Sequence, residues 1–236
     1  MKLKRILLKL SGESLQGNEP SGIDPDRLDQ FAIEVKDAHD LGVQVGVVIG
    51  GGNIFRGLKG SEKGFDRQTG DYMGMLATVI NSLALKSVLE ALGLQVKLLS
   101  GLEMPKLAER ANGTDAIRYL EQDCIVIFSG GTGNPYFTTD TASALRAVEI
   151  QADALLKGTR VDGVYTDDPE KDPSARKFDR LTFKEAYDRG LKIMDLTAFT
   201  LCEENKIPIV VFDMNCQGNL KKLLEGQDLG TIISNT

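Results

Sequence analysis

Three short stretches of this 236-residue sequence set glycine beside cations or amides in a way suited to an anion: Lys9-Leu10-Ser11-Gly12, Gly50-Gly51-Gly52-Asn53 followed by Arg56-Gly57, and Gly130-Gly131-Thr132-Gly133-Asn134-Pro135. Consecutive glycines permit positive φ and place no Cβ between the chain and a ligand, so successive backbone N–H groups can converge on phosphate oxygens. Lys9 offers a compact charge and Arg56 a planar fork of donors, the two complementary ways of compensating a phosphoryl group. Glycines also close tight strand-to-helix turns, and any one loop alone is compatible with that plainer use. Three such loops, with two cations among them, favour a phosphate cradle.

The commonest owners of glycine loops are excluded. No Gly-Lys pair exists, so there is no G-x-x-x-x-G-K-[ST] loop, and no G-x-G-x-x-G opens a helix after the first strand. The single histidine, His39, lies in a helical stretch before Asp40-Leu41 and reads as a solvated helix residue, which leaves no protein-kinase H-R-D set and no zinc-hydrolase pair. Cys124, Cys202 and Cys216 are odd in number and widely spaced, so neither a disulfide framework nor a zinc site is implied and a reducing cytoplasm is expected. Lys and Arg total 28 against 34 Asp and Glu, a formal charge of −6 that opposes broad binding to nucleic acid or anionic membrane. The run Met1 to Leu10 resembles a secretory signal only until Lys9 interrupts it, and reads as a first strand. No uninterrupted apolar run approaches the length of a membrane span.

The loops need a frame, and the apolar pattern supplies one. Strand-like runs at Arg5 to Leu10, Val43 to Ile49, Gln95 to Leu99, Cys124 to Phe128, Ala154 to Lys157 and Ile207 to Asp213 alternate with helical periodicity at Pro25 to Leu41, Asp71 to Leu92, Thr141 to Ala152, Leu196 to Asn205 and Asn219 to Glu225. Nearly all-apolar strands separated by helices predict an α/β three-layer sandwich, with a mainly parallel sheet covered on both faces and ligands at the carboxyl ends of its strands. The length suits a single domain over 1–236.

Asp71, Asp140 and Asp195 each directly precede a predicted helix, so each is expected as an N-cap, a position from which a carboxylate also meets a ribose hydroxyl or a metal-bound water. Lys157 reads as an exposed strand terminus rather than a second phosphate lysine. The stripe Tyr72, Leu76, Val79, Ile80, Leu83 and Leu92 reads as core, with subunit contact as the other use. The segment from Asp167 to Asp179, carrying Pro169 and Pro173, reads as a solvated loop.

Longer strings carry a more specific resemblance. Lys4 to Glu13, Val47 to Gly57, Thr132 to Asp140, Leu156 to Pro169 and Lys192 to Leu196 resemble, in order and over nearly the whole chain, the bacterial UMP kinases of the amino-acid-kinase family. That resemblance implies transfer of the γ-phosphoryl of Mg²⁺-ATP to UMP in pyrimidine nucleotide biosynthesis. Other phosphotransferases of the same family, or a non-catalytic nucleotide sensor, are the alternatives. It implies that Lys9, Leu10, Ser11, Gly12, Gly52 and Arg56 line the ATP phosphates and that Thr159, Tyr165 and Asp168 hold the nucleoside end. UMP would meet Gly51, Asp71, Thr132, Gly133, Asn134, Pro135, Tyr136, Phe137, Thr138 and Thr139. Lys9, Arg56, Asp140 and Asp195 would be the catalytic set. Tyr136 stands where the family commonly has Phe. The turn Gly17, Asn18, Glu19, Pro20, Ser21 and Gly22 occupies the place associated with GTP activation, with UTP as inhibitor, although Pro20 departs from the pattern and an ordinary Gly/Pro turn is the alternative reading. A homohexamer is implied as well.

Overall fold

The computed structural model describes residues 3–55, 64–169 and 171–236, so Arg56 lies outside the described residues. Nine strands form one sheet in the order β4-β3-β5-β2-β1-β6-β10-β11-β9. Its centre is β1 (Arg5–Leu10), flanked in parallel by β2 (Gln44–Ile49) and β6 (Ala154–Thr159). Beyond β2 come β5 (Ile125–Ser129), β3 (Val96–Ser100) and β4 (Glu109–Arg110), all parallel. Beyond β6 comes parallel β10 (Ile209–Asp213), and then β11 (Thr231–Ser234), which runs antiparallel to β10 and parallel to β9 (Arg180–Thr182). A separate ribbon pairs β7 (Val164–Tyr165) with β8 (Lys177–Phe178).

Strand periodicity sorts the side chains into two cores. Ile6, Leu8 and Leu10 face α1 (Pro25–Asp40) and α2 (Arg67–Ala91), meeting Phe31, Val35, Leu85 and Leu89. Leu7 and its counterpart Leu155 face the other layer, with Ala144 and Ala147 of α4 (Thr139–Glu149) and Ala198, Phe199 and Cys202 of α6 (Leu196–Glu204). On that layer also lie α3 (Gly113–Glu121) and α5 (Phe183–Asp188), while α7 (Asn219–Leu224) joins the first. The period of two therefore sends Lys9 and Lys157, two residues beyond Leu7 and Leu155, toward α4 and α6.

Elements found on sequence pattern keep their places within a few residues, but two helix starts move. Asp66, not Asp71, caps α2 by accepting the Thr69 N–H at 3.0 Å. Thr138, not Asp140, caps α4 by accepting the N–H groups of Asp140 and Thr141. Asp195 does cap α6, accepting from Ala198 at 3.0 Å. His39 lies in α1 as expected, half-buried against Asp123 rather than fully solvated.

The α2 stripe reverses the expected burial. Tyr72, Leu76, Ile80 and Leu92 are 37–50% exposed and only Val79 of that set is fully buried, while polar Thr78, Asn81 and Ser82 turn inward. Helix α2 is thus long and apolar enough by composition to cross a membrane, with mean hydropathy 1.3 over its most apolar stretch, yet 44% of that stretch is buried within the fold.

Candidate active site

The sheet assembles the chemistry at the carboxyl ends of β1 and β6. Lys9 and Lys157 are register partners on these adjacent parallel strands, each closing a Leu-Leu-Lys triplet, and both point to the same face. Two ammonium groups so placed repel, and Asp140 in the first turn of α4 answers them. Its Oδ1 is 3.1 Å from Lys9 Nζ and its Oδ2 is 2.8 Å from Lys157 Nζ. Lys157 also donates to the Ile193 carbonyl at 2.6 Å. The expectation of an exposed Lys157 fails, because only 13% of its side chain is accessible. A strand-terminal lysine looks exposed in sequence only while its register neighbour is unknown.

Burial pushes the Asp140 carboxyl up, but Lys9 and then Lys157 outweigh it and hold Asp140 below the usual carboxylate range. Burial lowers the Lys157 ammonium, against which Asp140 pulls upward and Lys9 pushes further down. The α4 N-terminus adds partial positive charge beside the same carboxylate. Asp140 Oδ1 has no aligned hydrogen-bond donor, since Lys9 approaches it as an ion pair rather than along a hydrogen-bond direction. Nearby Cys202 has its thiol pushed up to about 12, first by burial and then by Asp140, so it is not a thiolate nucleophile near neutral pH.

Asp195 holds the start of α4 in place from α6. It accepts from the Thr138 hydroxyl and, at 3.0 Å, from the Thr141 hydroxyl, while capping its own helix. It thereby sets the first turn that presents Asp140.

The glycine loops crowd round this centre. A Cβ on Gly12 would lie 2.2 Å from the Gly50 carbonyl oxygen, so the loops after β1 and β2 pass at a distance only glycine permits. Gly133 has φ +80° and a Cβ there would meet the Gly101 oxygen at 2.3 Å, which fixes the loop after β5 against that after β3. Within that loop the Thr132 hydroxyl donates to the Asn134 carbonyl at 3.1 Å, and non-glycine Tyr136 has φ +73°. The strained Tyr136 conformation is held by its N–H, which donates to Asp71 at 2.7 Å, and by Arg67, whose Nε donates to both Asp71 oxygens and whose guanidinium lies over the Tyr136 ring. Thus Asp71 ties α2 to the loop instead of capping a helix. Pro135, Phe137 and Thr139 follow the same path into α4.

Thr159, Tyr165 and Asp168 share a cleft of about 680 Å³ with Lys157, placing them on the β6 side of the lysines. The Tyr165 hydroxyl donates to Asp162 at 2.6 Å, and Asp168 pairs with Lys171 at 2.7 Å. Leu10 is buried in the first core, and Ser11 opens the 3₁₀ turn Gly12–Gln16. The loop from Gly51 to Asn53 packs over α2, and Gly22 at the end of the 17–22 turn reaches it through Asn53. Arg146 carried no sequence signal beyond charge on a helical pattern. It is buried beneath the loop after β5, pairing with Glu149 at 2.6 Å and lying over Phe128.

Known proteins are similar to this chain in sequence and fold. Residues 4–213 match the model of the amino acid kinase family. The uridylate kinase of Porphyromonas gingivalis is 63% identical, covering 99% of this chain and 98% of its own, and that of Parabacteroides distasonis is 61% identical, covering 98% of both. Among solved structures, a UMP kinase from Bacillus anthracis superposes with a TM-score of 0.97 at 36% identity, covering 100% of this chain and 97% of its own. One from Ureaplasma parvum superposes at 0.93 with 38% identity, covering 99% and 100%.

Proposed function

This chain belongs to the amino acid kinase family, and we propose from that premise that it is a uridylate kinase, transferring the γ-phosphoryl of ATP to UMP to give UDP and ADP. The observation that carries the chemistry is the Lys9–Asp140–Lys157 group at the strand ends, bordered by glycine loops. A nucleoside monophosphate has a second pKa near about 6, so its phosphate is largely a dianion at neutral pH and attacks without a protein base. The demand on the protein is to hold two anions in line and compensate charge on the transferring group.

Lys9 is the cation assigned to that group, with Lys157 beside it and Asp140 keeping the two ammonium groups apart and aimed. Arg56 is assigned bidentate phosphate contacts from the loop after β2. Leu10, Ser11, Gly12 and Gly52 border the ATP phosphates, and the cleft of Thr159, Tyr165 and Asp168 takes the nucleoside end. Gly51, Asp71 and the segment from Thr132 to Thr139 take UMP. Asp195 acts through Thr138 and Thr141.

Magnesium bound to ATP would neutralise β- and γ-phosphate oxygens. The chain's donors fit a limited part in holding it. Asp140 Oδ1 lacks an aligned donor and suits a metal-bound water, whereas no group of three acidic, His or Cys side chains gathers as a cage among the described residues.

The chain reads as one domain over 1–236, acting in the cytoplasm in pyrimidine nucleotide biosynthesis. The exposed Tyr72, Leu76 and Ile80 face suits burial against a second copy within a homohexamer, and Ile80→Glu is expected to lower the hydrodynamic mass. The 17–22 turn is the candidate GTP-activation region, with UTP as inhibitor, and initial rates with each nucleotide test this. The function itself is tested by ADP release from Mg²⁺-ATP with UMP, CMP, dUMP and amino-acid acceptors. UMP should be preferred, and absence of ADP with UMP would falsify the reading.

A further inference from the structure

Beneath the loops after β1 and β2 lies a buried pair of amides that the reaction does not itself require. Asn53 and Asn81 are 2% and 0% exposed. Asn53 Nδ2 donates to Asn81 Oδ1 at 3.0 Å and Asn81 Nδ2 donates back to Asn53 Oδ1 at 2.7 Å, closing a two-bond ring. Each amide has one N–H left, and each reaches a loop carbonyl: Asn53 donates to Gly22 O at 2.8 Å and Asn81 to Gly50 O at 2.6 Å. All four side-chain N–H donors are thus used, and the two carbonyls dictate which way each amide faces.

The ring extends into the backbone on both sides. The Gly50 N–H donates to the Leu10 carbonyl at 3.0 Å, and the Gly22 N–H donates to the Asn53 carbonyl at 2.9 Å. A Cβ on Gly12 would lie 2.8 Å from Asn53 Oδ1, so the ring also abuts the loop after β1. One buried unit therefore joins four pieces: helix α2, the loops after β1 and β2, and the end of the 17–22 turn.

We propose that the Asn53–Asn81 pair is the positioning element of the phosphate cradle and ties the end of the 17–22 turn into the same buried unit. The inference rests on reading residues 9–12 and Gly52 as the place where ATP phosphates bind. A buried side-chain network with every donor satisfied has one low-energy arrangement, so the loops it holds are preorganised before nucleotide arrives. Losing one amide frees Gly50 and removes the reciprocal partner that aims Asn53 at Gly22.

The test uses the full chain, with Mg²⁺-ATP affinity measured by calorimetry without acceptor and amide hydrogen exchange read in parallel. Asn81→Ser is expected to weaken ATP binding about five- to thirtyfold. It should also speed exchange at Gly22 together with Gly50 to Phe55, although Asn81 does not touch Gly22. Leu89→Ala, a core truncation on the same helix, supplies a control for destabilisation alone and should keep its ATP affinity. An Asn81→Ser affinity within about twofold of the parent, unchanged exchange at Gly22, or an equal affinity loss in Leu89→Ala would overturn the proposal. Should Asn81→Ser fail to fold, Asn53→Ser is judged by the affinity criteria and the same control. ADP release with UMP by the unaltered chain is scored separately: its absence undoes the uridylate-kinase reading and leaves the ATP affinities to decide the amide pair. An unaltered chain that binds no ATP overturns the inference itself.

Discussion

Each end of the central sheet carries a hollow, and the larger of the two is at the end away from the proposed site. At the amino ends of β1, β6 and β10, Leu3, Asp153, Lys206, Pro208 and Thr236 help line a hollow of about 1190 Å³. At the carboxyl ends the cleft beside Lys157 is about 680 Å³. The difference follows from the polarity of parallel strands. Their carboxyl ends meet the first turns of the following helices, where orphan N–H groups and the helix dipole favour anions. At the amino ends Asp153 already takes the Lys4 and Arg5 N–H groups, and helices arrive by their carbonyl ends. Volume therefore says little about where a phosphate would bind; the direction of the strands says much more.

The comparison is broken or sharpened by substitution. Lys9→Met removes the cation assigned to the transferring phosphoryl and is expected to lower kcat by ~10²–10³, on the scale of losing one preorganised charge-stabilising group. Steady-state rates at saturating ATP and UMP measure it, and a loss under about threefold would remove Lys9 from the mechanism.

Asp140→Asn keeps the shape but removes the one carboxylate that both buried ammonium groups share. A kcat loss of about 10²-fold is expected. The stability effect has a defined sign: Asp140 is held below its ordinary range, so its contribution is fully present above the unfolded carboxylate range and fades as pH falls through the depressed folded value. Denaturant midpoints should show the parent ahead by a constant margin above about pH 5, and the gap should close in stronger acid.

Asp195→Asn retains an acceptor for Ala198 and for one threonine, so the Tm should fall by only a few degrees, about 2–4 °C per kcal/mol in a chain of this size. Because Asp195 steadies the α4 turn through Thr138 and Thr141, kcat should drop about tenfold. A parent-like rate with unchanged Mg²⁺ dependence would confine Asp195 to stability. Lys206→Ala, at the opposite end of the sheet, should leave kcat and KM within about twofold; a larger effect would break the contrast between the two ends.

The legible parts of the sequence were those governed by local periodicity. Six apolar runs lie on β1, β2, β3, β5, β6 and β10 because buried parallel strands are nearly all apolar, and five amphipathic segments lie on α1, α2, α4, α6 and α7. The strands β4, β7, β8, β9 and β11 were not singled out, since each is too short for periodicity to stand out or depends on a partner; the helices α3 and α5 were missed as well, although they are as long as α6 and α7. Helix α2 misled in the opposite direction. Its apolar stripe resembles a core face, yet most of that stripe is exposed, and the buried side mixes Met75, Val79, Leu85 and Leu89 with Asn81 and Thr78, which bond loop atoms, Thr78 accepting the Gly130 N–H at 2.9 Å.

Lys157 marks the boundary between what composition and order decide and what contact decides. From the sequence alone came the parallel α/β frame, the three glycine loops, Lys9, and the absence of a histidine base, all of which are local properties of residue type and spacing. The repeated Leu-Leu-Lys of β1 and β6 was also there to be seen, but nothing local says that the two strands are neighbours in register. Tertiary structure alone decided that Lys157 is buried, that Asp140 sits between two lysines, that Asp71 holds a loop, and that two asparagines join four segments. Electrostatics and hydrogen bonding act through space over a few ångströms, whereas residues 9, 140 and 157 are brought within that range only when the sheet closes.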